Sequence, residues 1–245
     1  PISFATLLKT ELRLALRSMD MVLFAVLMPV VVLVVIGLIY GGAGQENAMI
    51  GTTFGAFLSI GICAVGLMGL PLGLAEYRHR NVLKRLQVTP VHPALLLSVQ
   101  LIAQAVVSIV SAGLVILVAV LAFGYELAGS PLALAAAYLL VMTAIFAIGL
   151  VIASTARDIK RAGMIASLVY FPMLIFSGTT VPFPVFPEFV QRAAVILPLR
   201  HGIELLNAAS LGTSPGSMWP QILLLLGISI GGVIVSMRTF RWDME

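Results

Sequence analysis

The sequence predicts an all-α integral membrane protein with six transmembrane helices, an N-terminal amphipathic interfacial helix and an external re-entrant helical hairpin before the last span. Of the 245 residues 60% are hydrophobic and 10% charged, whereas a soluble domain has roughly 25% charged residues. With a mean hydropathy of +1.12, the alternative to a bilayer would be an unreasonably large dry core. Stretches free of Asp, Glu, Lys and Arg cover Met21–Gln45, Asn47–Ala75, Leu86–Tyr125, Leu127–Ala156, Ala162–Pro187 and Leu205–Met237. Each reaches or exceeds the ~20 residues that cross ~30 Å of hydrocarbon as helix. Trimmed of interfacial residues, the spans are 21–40, 49–75, 94–123, 131–156, 162–178 and 218–238, in a single transmembrane domain over 1–245.

Residues 1–20 are helical by period. At 100° per residue Ser3, Thr6, Lys9, Thr10, Arg13, Arg17 and Asp20 share one stripe, and Phe4, Leu8, Leu12, Ala15 and Met19 another. Such a helix lies along a membrane surface. Glu11 breaks the pattern by projecting from the apolar side, where lipid does not satisfy it and a protein partner would. The first apolar run follows this basic segment without a small-residue cleavage signature, so it is expected as a retained span rather than a signal peptide. The single cysteine, Cys63, falls inside the second span; it allows no intrachain disulfide and is expected to serve packing.

Six spans place both termini on one side of the membrane. That side carries Lys9, Arg13, Arg17, Arg78, Arg80, Lys84, Arg85, Arg157, Lys160, Arg161, Arg238 and Arg241, against Arg192 and Arg200 opposite. Lys and Arg favour the cytoplasmic face, so both termini are expected there. This bias accounts for the net charge of +4 through anionic lipid headgroups, with no call for nucleic acid.

The outer connections GGAGQENA and GYELAGSP are too short to hold a domain, and the inner RDIKRA is tight. The segment 179–217 differs. Pro182, Pro184, Pro187 and Pro198 punctuate it, yet Phe183, Phe186, Phe189, Val190, Ile196 and Leu199 make it too apolar for a solvated loop. A re-entrant pair of short helices separated at Pro198 satisfies both features, provided the protein supplies partners for the freed backbone groups. Glu188 and Arg192, and Arg200 and Glu204, stand four apart, so each short helix can neutralise itself. Small residues recur at Gly37 and Gly41, Gly51 and Gly55, Gly69 and Gly73, and Gly227 and Gly231, spacings that suit close helix packing in lipid.

The inner connection 76–93, EYRHRNVLKRLQVTPVHP, concentrates charge between two long apolar runs. Val82, Leu83 and Leu86 form an apolar edge at helical spacing, while Arg80, Lys84 and Gln87 form a polar one. A short amphipathic cytoplasmic helix of this kind either docks in a groove on a partner, oriented by its charges, or rests on headgroups.

Several chemistries lack their residues. There is no GxxxxGK[ST] loop for nucleotide phosphates and no HExxH for a metal; His79, His92 and His201 all fall in connections. The spans hold no central Asp, Glu, Lys or Arg of the sort that ion-coupled carriers use, nor a base for a serine-type hydrolase. No catalytic residue and no metal site is expected, and the energy for any transport must come from a partner.

Within residues 76–90, Leu83, Leu86, Thr89 and Pro90 match an acidic–basic element followed by Gly-Thr-Leu and a Leu…Thr-Pro. Asn81 stands for the usual Gly, Val82 for the Thr and His79 for a common second acid. Ser177, Gly178, Pro182, Pro198 and Leu199 match a Ser-Gly-x-x-x-Pro turn and a later Pro-Leu pair, with Leu197 where Asn is common; the ending RTFRW is also typical. On these residues the chain resembles, over essentially its whole length, the permease subunits of type-two ATP-binding-cassette exporters.

That resemblance implies two six-span subunits around a central pathway, the second being an identical copy or a close paralogue. Each sits on one of two copies of a separate cytoplasmic ATPase, in a bacterial cytoplasmic (inner) membrane. This chain would bind no cofactor; ATP and Mg would sit on the ATPase. The resemblance makes residues 76–93 the coupling helix, with Glu76, Arg78, Arg80, Asn81, Leu83, Lys84, Arg85, Leu86, Thr89 and Pro90 as coupling residues. Residues 1–20 become a connecting helix carrying Lys9, Glu11, Arg13 and Arg17. Spans two and five would line the pathway, which suggests Thr52, Thr53, Phe54, Phe57, Tyr170, Phe171 and Phe176. Ser177, Gly178, Pro182, Glu188, Arg192, Pro198, Arg200 and Glu204 would belong to a cap over the exit. A charge-free pathway favours apolar or amphipathic cargo, so hydrophobic drug or antibiotic efflux ranks first and lipid or polysaccharide export second. A self-contained carrier, an intramembrane enzyme and a membrane anchor that recruits a partner without transporting are the other classes.

Overall fold

The computed structural model describes residues 4–18, 22–41, 46–79, 93–156, 158–179, 186–213 and 217–239, and among these every regular element is helical. Helix α1 (Phe4–Arg17) precedes a π-helical turn at Val22–Leu27 that runs into α2 (Met28–Gly41). Helix α3 (Glu46–Cys63), a second π-helical segment (Ala64–Gly69) and α4 (Leu70–His79) follow one another without a break. The remainder is α5 (Pro93–Phe123), α6 (Pro131–Thr155), α7 (Ile159–Phe176), α8 (Glu188–Ala194), α9 (Pro198–Leu211) and α10 (Trp219–Thr239).

Among the described residues five helices are long and apolar enough to cross a membrane: Ile50–His79, Leu97–Phe123, Pro131–Thr155, Ile159–Phe176 and Trp219–Thr239. They coincide with the second to sixth predicted spans. The predicted first span, 21–40, corresponds to a shorter apolar helix, Leu23–Ile39. The helix ends differ from the predicted span bounds by up to four residues. The helix of the second span runs on through Glu76–His79. The fifth starts at Ile159 because Asp158 caps it, accepting from the Arg161 N–H at 2.7 Å.

Each π-helical segment ends two residues before a proline, Pro29 in one case and Pro71 in the other. Proline has no N–H for the carbonyl four residues back, and a widened turn moves the bonding to the fifth. The Leu70 N–H accordingly donates to Val65 O. Gly66 O, next in that pattern, would look to Pro71, which has no proton to give. Here α6 comes closest: a Cβ on Gly149 would lie 2.0 Å from Gly66 O, so only glycine permits the approach.

The long helix formed by α3, the π segment and α4 runs through the middle of the bundle. Phe54, Phe57, Leu58, Ile60, Ile62, Leu67 and Leu70 on it are all but completely buried. Around it pack α2, α5, α6, α7 and α9. Helix α10 leans on α6 at the periphery, with Gly232 against Ala147 and with Leu223, Ile230 and Met237 exposed. Of the small-residue spacings, Gly55 packs against α9 and Gly37 against Phe123, whereas a Cβ on Gly227 or Gly231 would meet none of the described residues within 4 Å.

Helix α9 is short and deeply packed, with Leu199, Ile203 and Leu206 buried against α3, α6 and α10. Pro198 opens its first turn and Gly212, at φ 74°, closes it in the left-handed region. Asn207 ties it to α3, accepting from the Gly55 N–H at 2.7 Å and donating to Thr52 O at 2.8 Å.

Candidate functional site

The last turn of α4 gathers polar side chains at one end of the bundle. Helix α1 lies on α5 with Leu7, Leu8, Glu11, Leu12 and Ala15 turned toward the protein, while Lys9, Arg13 and Arg17 are exposed. Glu11 therefore sits in the centre of the packing face, and its partner lies within the same chain: the Tyr77 hydroxyl of α4 donates to Glu11 Oε1. Burial raises the Glu11 carboxyl above the ordinary carboxylate range, with the Tyr77 hydrogen bond pulling the other way.

Arg78, the next residue, turns to α6. It is 5% exposed and donates to Ala153 O at 2.6 Å and Ala156 O at 2.7 Å. These carbonyls belong to the last turn of α6, where the helix has no N–H of its own to offer. A cation is also favoured there by the helix dipole. Glu76 is half-buried and His79 exposed on the same turn. Arg80, Asn81, Leu83, Lys84, Arg85, Leu86, Thr89 and Pro90 lie outside the described residues.

A second surface is formed by α7. Lys160, Gly163, Met164, Ser167, Leu168, Phe171 and Pro172, spaced by three and four along one face, line an open groove of about 710 Å³. Met164 and Leu168 are 66% and 76% exposed, so the described residues leave the face uncovered. Tyr170 turns inward and meets Phe171 edge-on at 5.3 Å. Phe176 is exposed and lies 6.1 Å from Phe186. Of the α3 candidates, Thr52 is exposed and Thr53 half-buried, whereas Phe54 and Phe57 are in the core; Phe54 stacks on Tyr125 at 4.7 Å. The candidate pathway residues thus divide between surface and interior.

At the opposite end Ser177 is buried and Gly178 takes a φ of 88°, while Pro182 lies outside the described residues. Glu188 and Arg192 pair at 3.5 Å on an exposed face of α8. Arg200 and Glu204 pair at 2.7 Å, and Gln221 of α10 donates to the same carboxylate.

The sequence reading did not find Tyr77, Asn207 or the groove residues Met164, Ser167 and Leu168. The groove carried a signal, apolar residues at three-and-four spacing beginning from a lysine. Tyr77 and Asn207 carried none, because their partners are distant in sequence.

With five membrane-length apolar helices among the described residues, the chain is a multi-pass membrane protein. The chain belongs to the ABC-2 type transporter family, whose model matches residues 2–211, and is a membrane-spanning subunit of that family. It is similar to the inner membrane transport permease YhhJ of Escherichia coli (strain K12), at 25% identity over 199 residues. The match covers 80% of this chain and 52% of that protein. The same protein of Shigella flexneri matches to the same extent. The chain thus spans about half the length of the curated relatives it matches.

Proposed function

We propose that the chain is the permease subunit of an ATP-driven exporter, forming a translocation pathway with a second permease copy, identical or closely related. Residues 76–93 couple it to two copies of a cytoplasmic ABC ATPase, which bind ATP and Mg. The observation that carries this reading is the family match over residues 2–211. Leu23–Ile39 crosses as the first of six spans, both termini are cytoplasmic, and α8 and α9 enter from outside as a re-entrant hairpin. Glu188, Arg192, Arg200 and Glu204 lie on that hairpin, beside the Ser177–Gly178 turn and Pro198.

The α7 groove supports a cargo class. Apart from Lys160 at one end it offers methionine, leucine, phenylalanine and proline with one serine, an adaptable apolar lining suited to hydrophobic drug-like molecules. An acyl chain would find the same surface, which keeps lipid or polysaccharide export as the second reading. Thr52, Phe171 and Phe176 are the pathway candidates open to a ligand.

A mild-detergent pull-down of the tagged chain, with mass spectrometry and an ATPase assay of the eluate, tests the proposal. Recovery of a nucleotide-binding partner that is lost on Leu83→Glu or Leu86→Glu is expected, because a charge on a docking edge is desolvated without a partner. Recovery of the chain alone in several detergents, with transport in ATP-free liposomes, would replace the exporter by a self-contained carrier.

A further inference from the structure

We propose that Tyr77 and Arg78 are positioning residues that make the last turn of α4 a three-way junction, passing displacement of the chain beyond His79 to α1 and α6 together. The proposal rests on the exporter reading, in which that chain meets an ATPase.

Consecutive residues of a helix point about 100° apart, and these two diverge to different helices. Tyr77 reaches α1 through Glu11, and Arg78 reaches α6 through two backbone carbonyls. The principal neighbours of α1 and α6 differ: α1 rests on α5 and the Val22–Leu27 turn, α6 on α4, the Ala64–Gly69 segment, α9 and α10. The end of α4 is where they are joined by side chains.

The chemistry suits transmission. A guanidinium that holds two carbonyls with short hydrogen bonds fixes both separation and orientation. Apolar side chains at 77 and 78 would pack α4 without desolvating a cation or a carboxylate, but they would allow the turn to slide. Directional bonds specify register where apolar contact does not. The junction also lies at the end of the long central helix, where Tyr77 and Ala15 pack against the edge of the core.

The test uses the permease assembled with its ATPase in nanodiscs, so no cargo need be known. Cys63 is completely buried, and a single half-exposed thiol, Ser167→Cys in the α7 groove, reports the state of the bundle by its rate of modification by a polar maleimide. In the parent, ATP with orthovanadate is expected to change that rate by at least about threefold, a modest population shift. Tyr77→Phe is expected to abolish the nucleotide response while keeping the nucleotide-free rate and the elution profile. Glu11→Gln, whose amide oxygen still accepts from Tyr77, behaves as the parent, and Glu11→Leu behaves as Tyr77→Phe. A Tyr77→Phe chain that responds like the parent overturns the junction and leaves the exporter reading standing. A parent that never responds overturns the exporter reading, and the junction with it.

Discussion

The Ser111 hydroxyl of α5 donates to the Ala25 carbonyl over 2.6 Å, inside the widened turn that precedes Pro29. A Cβ on Gly61 of α3 would lie 2.5 Å from Ser111 Oγ and 3.1 Å from Ala25 O, so three elements meet at this bond. Ser111→Ala is expected to destabilise by about 1 to 3 kcal/mol, the penalty for a buried acceptor left unpaired. Gly61→Ala should cost a similar amount by displacing the hydroxyl. The double variant should fall short of the sum, since both changes break one contact. Thermal midpoints in detergent, run as a double-mutant cycle, check this; additive effects would separate the two sites.

Composition and apolar run length place five of the helices because a bilayer imposes them directly: burying twenty residues in hydrocarbon needs no partner elsewhere in the chain. The widened turns before Pro29 and Pro71 are a different matter. The prolines were visible, but whether a helix ends, kinks or widens at one depends on which neighbour receives the freed carbonyl. Ser111 and Gly149 are more than seventy residues from theirs. Glu11 shows the same limit from the other side. Its misfit on an amphipathic helix signalled a partner, but nothing local named Tyr77. Gly227 and Gly231 carried the same spacing as Gly51 and Gly55, yet among the described residues only the latter pair faces another helix closely.

Asn207 joins α9 to α3 through its side-chain amide alone, accepting from Gly55 N–H and donating to Thr52 O. Interhelical hydrogen bonds in membrane proteins contribute roughly 0.6 kcal/mol each, at most about 1.7. Asn207→Leu is therefore expected to cost about 1 to 3 kcal/mol, and to raise hydrogen exchange of the α9 amides ahead of those in α6. Equal exchange in both helices would assign the loss to the bundle as a whole.

Arg78 separates a charge effect from a geometric one. Arg78→Met leaves Ala153 O and Ala156 O without their donor in a buried site and should lower stability by about 1.5 to 3 kcal/mol per charge-assisted bond lost. Arg78→Lys keeps the cation at the end of α6 but not the fork that reaches both carbonyls, so it should recover less than half of the difference. Full rescue by lysine would mean that the helix dipole, rather than the paired hydrogen bonds, holds the residue.

Glu11 makes the docking of α1 depend on pH. Burial raises its pKa when α1 is docked, so the docked state binds the proton more tightly than the free helix does. The penalty for docking is absent at acid pH. It grows as pH rises from the ordinary carboxylate range to the raised value, and above that it is fully in place. Around Glu11 stand Lys9 and Arg13, both exposed on α1, and Tyr77, Arg78 and His79 on α4, with Arg78 engaged by α6; α5 carries no charged residue. Hydrogen exchange of the α1 amides, corrected for intrinsic rates, is expected to show the greatest protection at the acid end and a decline through that window. Glu11→Gln, which accepts from Tyr77 without ionising, should hold the acid level of protection at every pH. Protection that rises with pH in the parent would mean that the cations of α1, rather than burial, set the preference of this carboxyl.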